Sequence, residues 1–136
     1  MNATAAALLG FIGWTLALIV AVELARVYLV LATGRKVTQF NPDGSDISPF
    51  MHRLARAHAN CVENFPIFGG LLLLALLNNQ THITNPLAPY FLAARLAQSI
   101  THLISSHALA INIRFAFFAV QLGIGGYWVV SFFASV

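Results

Sequence analysis

The stretch Arg56-Ala57-His58-Ala59-Asn60-Cys61-Val62-Glu63-Asn64-Phe65-Pro66 decides how this chain is read. It sets Arg56, Asn60 and Glu63 at i, i+4 and i+7 on a segment that continues, almost wholly apolar, from Ile67 to Leu77. At about 100° per residue these side chains share one narrow helical stripe with Arg53 and Asn64, while His58 points roughly the other way. Ionisable residues on so apolar a helix belong inside a membrane bundle, where charge is costly, paired and tied to function. The stripe is a candidate polar site within a membrane.

The rest of the chain fits that setting. Of its 136 residues, 59% are hydrophobic and 8% charged, and the mean hydropathy is +0.79. Soluble domains carry about 25% charged residues, so a very apolar soluble bundle is the weaker alternative. Seven basic and four acidic residues give a formal charge of +3. That is too sparse for a nucleic-acid surface, and no basic run has aromatics interleaved with it. Cys61 is the sole cysteine, which excludes an intrachain disulfide. No Cys/His metal spacing, phosphate-binding glycine loop or nucleophile elbow occurs.

Four apolar stretches are separated by three polar breaks. The first, about residues 5–32, is long enough to span ~30 Å of hydrocarbon. It has no basic n-region and carries Glu23 and Arg26 deep within it, unlike a cleaved signal peptide. The break that follows contains Gly34-Arg35-Lys36 and the turn-rich Asn41-Pro42-Asp43-Gly44-Ser45. Ser48-Pro49 then reads as an N-cap followed by a first-turn proline, opening a helix over 49–77 that Pro66 is expected to kink. Residues 78–89 form the second break. A third helix is expected over 87–104, a connection over 105–112 and a fourth helix over 113–134. No repeat or linker interrupts the chain, so the expected fold is all-α, one four-helix membrane bundle spanning residues 1–136.

Basic residues set the expected orientation. Arg35, Lys36, Arg53 and Arg56 lie in or beside the first break and Arg114 flanks the third, whereas the second break and both termini have none. The positive-inside rule then puts the first and third breaks in the cytoplasm and both termini on the far side. Trp14 and Trp128 are expected as interfacial anchors on that outer side, and His52, His58 and His82 as surface or interfacial residues.

Two further stripes face the same interior. One joins Arg95, Gln98, Ser99, His102 and Ser106; the other joins Arg114, Gln121 and Gly125. An unpaired Arg at the bilayer centre costs on the order of 2.5–3.5 kcal/mol, so Arg95 needs a partner. Glu63, the sole acid of its helix, is the expected one. Glu23 and Arg26 can pair at i, i+3. Arg26, Arg56, Arg95 and Arg114 then face two buried acids, and an interior short of negative charge favours an anionic ligand that bridges guanidinium groups. The plainer alternative is that these residues only fasten helices, although such contacts contribute about 0.6 kcal/mol each.

The run from Arg56 to Pro66, opening the second of four membrane helices in so short a chain, resembles the signature of the MAPEG superfamily, membrane-associated proteins in eicosanoid and glutathione metabolism. Gly34-Arg35-Lys36, Asn41 to Gly44 and Phe50-Met51 resemble its bacterial members. The resemblance covers essentially the whole chain. It implies a homotrimer in a bacterial inner membrane, with glutathione as co-substrate bound between subunits near the cytoplasmic face. It also implies glutathione-binding roles for Arg56, Asn60, Glu63 and Arg95, with Arg26 matching a first-helix arginine. Arg114 matches an arginine that stabilises the thiolate in some members, and His102 is a candidate proton donor. Gln98 and His102 stand where several enzymes of the family have tyrosines, and Asn64 where they have an aromatic.

The activity implied is that of a microsomal-type glutathione transferase or peroxidase taking lipophilic electrophiles from the bilayer. Two alternatives stay open. One is a non-catalytic lipid-binding or scaffold protein on the same fold. The other is a small proton-coupled transporter, for which a lone first-helix Glu such as Glu23 is the cue. The transporter reading predicts a weak Lys/Arg bias and leaves the arginines unexplained.

Overall fold

The computed structural model describes residues 1–34, 36 and 40–136, so Arg35 of the first break lies outside the described residues. Among the described residues five helices follow in order: α1 Ala3–Thr33, α2 Pro49–Leu77, α3 Thr81–Thr84, α4 Ala88–Ile104 and α5 Ala108–Ala134. The four long helices are those expected from the apolar stretches. The four-residue α3 was not expected; it is a single turn within the second break.

Local chemistry explains the boundaries. Gly34 closes α1 in the left-handed conformation (φ 69°), its N–H bonded to the carbonyl of Val30, a cap that favours glycine. Ser48 accepts a hydrogen bond from the N–H of Met51 at 3.1 Å, and Pro49 occupies the first position of α2, where its missing N–H is no loss. Between them, Gly44 (φ 69°) lies against the start of α2. A Cβ there would sit 2.7 Å from the Met51 carbonyl oxygen.

The expected start of the fourth helix near residue 113 is corrected to Ala108. Ser105 turns the chain tightly by accepting from the N–H of His107 at 3.1 Å. Ala108 and Ala110 are then strong helix formers, and Asn112 is only mildly unfavourable within a helix. The third break is therefore residues 105–107, and Arg114 lies in the second turn of α5. Ser106 falls outside the helix of the stripe to which it was assigned.

The core is a column of rings. Phe11 of α1 meets Phe65 of α2 edge-on, with ring centroids 5.2 Å apart. Phe91 of α4 packs 5.0 Å from Phe68 and 5.7 Å from Trp128. Gly125 lets α5 approach closely, since a Cβ there would lie 2.8 Å from the Phe68 ring. Trp128 is fully buried, which corrects its expected place as an interfacial anchor: ring stacking holds it inside the bundle. Trp14 likewise turns inward and donates to Ser99 Oγ at 2.8 Å.

At the end of the bundle where α1 begins, Thr4 clasps the second break. Its hydroxyl and backbone N–H both donate to Asn85 Oδ1, at 2.6 and 3.0 Å, and its Oγ1 lies 2.6 Å from Thr84 Oγ1. The outward faces of the long helices are apolar: Leu9, Leu16, Leu24 and Leu31 of α1, and Val130 and Phe133 of α5, are all exposed. A surface of that kind suits hydrocarbon and not water, which removes the soluble-bundle alternative. Three helices, α1, α2 and α5, are long and apolar enough to cross a membrane.

Candidate functional site

The polar stripe of α2 straddles the edge of the subunit. Asn60 is half-buried, while Arg56 and Glu63 are exposed. Arg95 of α4 is fully buried and lies over the Phe11 ring, its guanidinium carbon 5.7 Å from the centroid. It donates from Nη2 to Asn60 Oδ1 at 2.7 Å and to Gln98 Oε1. The expected Arg95–Glu63 pair is thereby corrected. Positions 60 and 63 diverge by about 60° around the helix, so Asn60 reaches inward to Arg95 while Glu63 faces out of the subunit. Among the described residues Glu63 joins no ion pair. The Glu23–Arg26 pair does form, at 3.0 Å.

Gln98 and Gln121 were placed on polar stripes by their spacing, but their joint role was not legible. Gln98 Oε1 also accepts from Gln121 Nε2 at 2.8 Å, and Gln121 donates further to the Phe117 carbonyl at 3.1 Å. A hydrogen-bonded line thus runs Asn60–Arg95–Gln98–Gln121 through α2, α4 and α5. The helical spacing of Gln98 from Arg95 was the available signal; the pairing of 98 with 121 needed the antiparallel register of α4 and α5.

His102 is half-buried near the C-terminus of α4, on the helix that carries Arg95. Arg114, Arg56, His52 and Arg95 all lie close enough to act electrostatically on its ring. Arg53 ties α2 to the same end of α4 by donating from Nε to the Leu103 carbonyl at 2.9 Å. Three of the four arginines expected at the site therefore converge. Arg26 makes its contacts elsewhere: besides Glu23 it donates to the Pro42 carbonyl at 3.4 Å, beside a cavity of about 370 Å³ lined by Val27, Val30, Phe40 and Pro42. Several buried polar atoms have no hydrogen-bond partner among the described residues: Arg95 Nε and Nη1, Arg114 Nε, Gln121 Oε1 and Trp128 Nε1. Buried donors without acceptors are costly, and three of these five atoms belong to guanidinium groups.

The arrangement is rich in donors and poor in acids. Arg56, Arg114 and the Asn60 amide can bind carboxylate oxygen or thiolate sulfur, and the Glu63 carboxylate offers an acceptor for an ammonium group. A peptide-like molecule carrying both charges fits that set.

No curated protein and no solved structure matches the chain. A family profile does, and it runs over residues 4–134, from the first turn of α1 to the last residue of α5, taking in every residue of the polar end just described. This apolar bundle with its convergent arginines is an integral membrane protein that belongs to the MAPEG family.

Proposed function

We propose that this protein is a glutathione-dependent transferase or peroxidase that acts on lipophilic electrophiles drawn from the bilayer. The observation that carries the reading is the set of Arg56, Arg95 and Arg114 within electrostatic reach of His102, with Glu63 exposed about two helical turns along α2 from Arg56. Arg56 and Asn60 bind the carboxylates of glutathione and Glu63 its amine. Arg114 faces the sulfur. A free thiol has a pKa near 8.5, so only a few per cent is ionised at neutral pH. An adjacent guanidinium favours the thiolate, and each unit of lowering corresponds to about 1.4 kcal/mol. The sulfur then bonds to an electrophilic carbon while the leaving group departs with the electron pair, or it takes the terminal oxygen of a hydroperoxide and releases the alcohol. The departing group takes its proton from water.

Glu63 and Arg56 are exposed on the single subunit, and the reading has a homotrimer enclose them between neighbours, with Arg26 supplied from α1 of the adjoining copy. The membrane is a bacterial inner membrane, with the ends of α2 and α4 that carry Arg53 and His102 toward the cytoplasm. Gln98 and His102, standing where several family enzymes have tyrosine, favour a second reading: a non-catalytic lipid-binding or scaffold protein. The transporter alternative loses its cue, since Glu23 is already paired with Arg26.

Glutathione titration of the detergent-purified protein, followed by thiolate absorbance, separates these. A saturable signal that Arg114→Ala abolishes and that Glu63→Gln shifts to higher concentration is expected. Absence of binding at millimolar glutathione overturns the enzyme reading in favour of lipid.

A further inference from the structure

Arg95 is one of several arginines at the polar end of the bundle. Its surroundings give it a different task. It is fully buried within its own subunit, stacked over Phe11, and its hydrogen bonds go to two carboxamides, those of Asn60 and Gln98. Arginine has five donors and no acceptor. Both amides must therefore turn their oxygens toward Arg95, whichever way each would turn alone.

For Asn60 this has a chemical consequence. With Oδ1 held at 2.7 Å by Arg95, the remaining functional group of the side chain is its NH2, which carries donors alone. Asn60 is half-buried at the subunit edge, one helical turn from Arg56 and less than one turn from Glu63. The neighbouring Asn64 is tethered separately, its Nδ2 donating to the Asn60 backbone carbonyl at 2.8 Å. Arg95 is in turn held from the other side. Gln98 Oε1 accepts from it and from Gln121 Nε2 together, and Gln121 is anchored to the Phe117 carbonyl.

We infer that Arg95 is a positioning residue that makes no contact with ligand: it locks the Asn60 amide with its NH2 outward, so that this position accepts a carboxylate and rejects a donor, and the Gln98–Gln121 pair locks Arg95. The inference rests on the glutathione reading for the identity of the carboxylate, and on the geometry alone for the direction of the amide.

The test is a double-mutant cycle on glutathione affinity in the full-length, detergent-purified protein. Asn60→Ala and Arg95→Met are each expected to raise Kd about tenfold, the range of one hydrogen bond to a charged group. Because Arg95 acts only through Asn60, the double variant should bind no worse than Asn60→Ala alone. Arg95→Lys, which keeps a donor but not the planar fork, should recover part of the loss. Multiplying losses in the double variant would show Arg95 touching ligand directly or acting through general stability, and would overturn the inference while leaving the glutathione reading in place.

Methionine roughly matches arginine in length, and replacing a buried charge by an apolar side chain is often tolerated. If Arg95→Met does not fold, Gln98→Met loosens Arg95 from the far side and takes its place in the cycle, with the same non-additivity expected against Asn60→Ala. Wild-type protein that fails to bind glutathione overturns both readings together, so the two failures are distinguishable.

Discussion

Asp43, in the loop between α1 and α2, accepts hydrogen bonds from the backbone N–H and the hydroxyl of Ser45, at 3.0 and 2.7 Å. These bonds, the backbone one first, hold its carboxyl below the ordinary value of 3.8. A depressed carboxyl pKa contributes stability that is present above the unfolded value and is lost as pH falls through the folded one. The loop geometry should therefore persist through neutral pH and loosen only in acid. Measured by NMR, the Ser45 amide proton should titrate with a midpoint below 3.8, and Ser45→Ala should move the Asp43 midpoint up toward that value. A midpoint already at the ordinary value in the wild type would mean that the bonds do not form in solution. At this scale the sequence is unevenly legible. The Glu23–Arg26 pair was legible because two residues on one helix fix their own separation. The Arg95 partners were half legible: the need for a partner follows from the cost of a buried charge, but Asn60 rather than Glu63 meets it because of where α4 crosses α2, and spacing within one helix says nothing of that.

Among the elements, α2 has the clearest beginning. Ser48 caps its N-terminus through the Met51 N–H, and the same end of the helix carries His52, whose Nδ1 lies 2.9 Å from the Asp43 carbonyl. Ser48→Ala should lower stability by about 1 kcal/mol, seen as a lower unfolding midpoint in detergent. Ser48→Asp should restore most of it, while an unchanged midpoint for Ser48→Ala would place the stability of this end in the loop contacts instead. Both ends of α2 and the far end of α4 were legible, because Ser-Pro, Asn and the apolar limits are local signals. The start of α5 was not, since Ser105, Ser106 and His107 look like the middle of a loop, and only their folded geometry shows them to be the whole of it. Nor were the tryptophans: the amphipathic ring of Trp128 suits an interface equally well, and the ring of Phe91 that claims it lies on another helix.

For the whole molecule, the membrane bundle itself was the most legible feature, because 59% hydrophobic residues in long stretches leave few other folds. Its orientation is testable with a cysteine at each end. In a Cys61→Ser background, Lys36→Cys should react with an impermeant maleimide only in inverted vesicles, and Asn78→Cys only in right-side-out vesicles. The opposite pattern would reverse the topology. The bundle is also uneven in how it can enter a bilayer. Helix α4 has 17 residues, which reach about 25 Å at 1.5 Å per residue, and it carries Arg95 near its middle; it is absent from the helices that could cross alone. Among the described residues its guanidinium donates to Asn60 of α2 and to Gln98 of α4 itself, and α5 reaches it only through Gln121, which donates to Gln98. Helix α4 should therefore enter the bilayer more readily with α5 beside it than alone, the two as a hairpin. A chain ended after His107 and released from the ribosome, with a glycosylation tag appended, should therefore leave that tag on the wrong side of the microsomal membrane for a spanning α4, whereas the complete chain inserts both helices. The same buried arginine thus makes the entry of one helix depend on the presence of its neighbours.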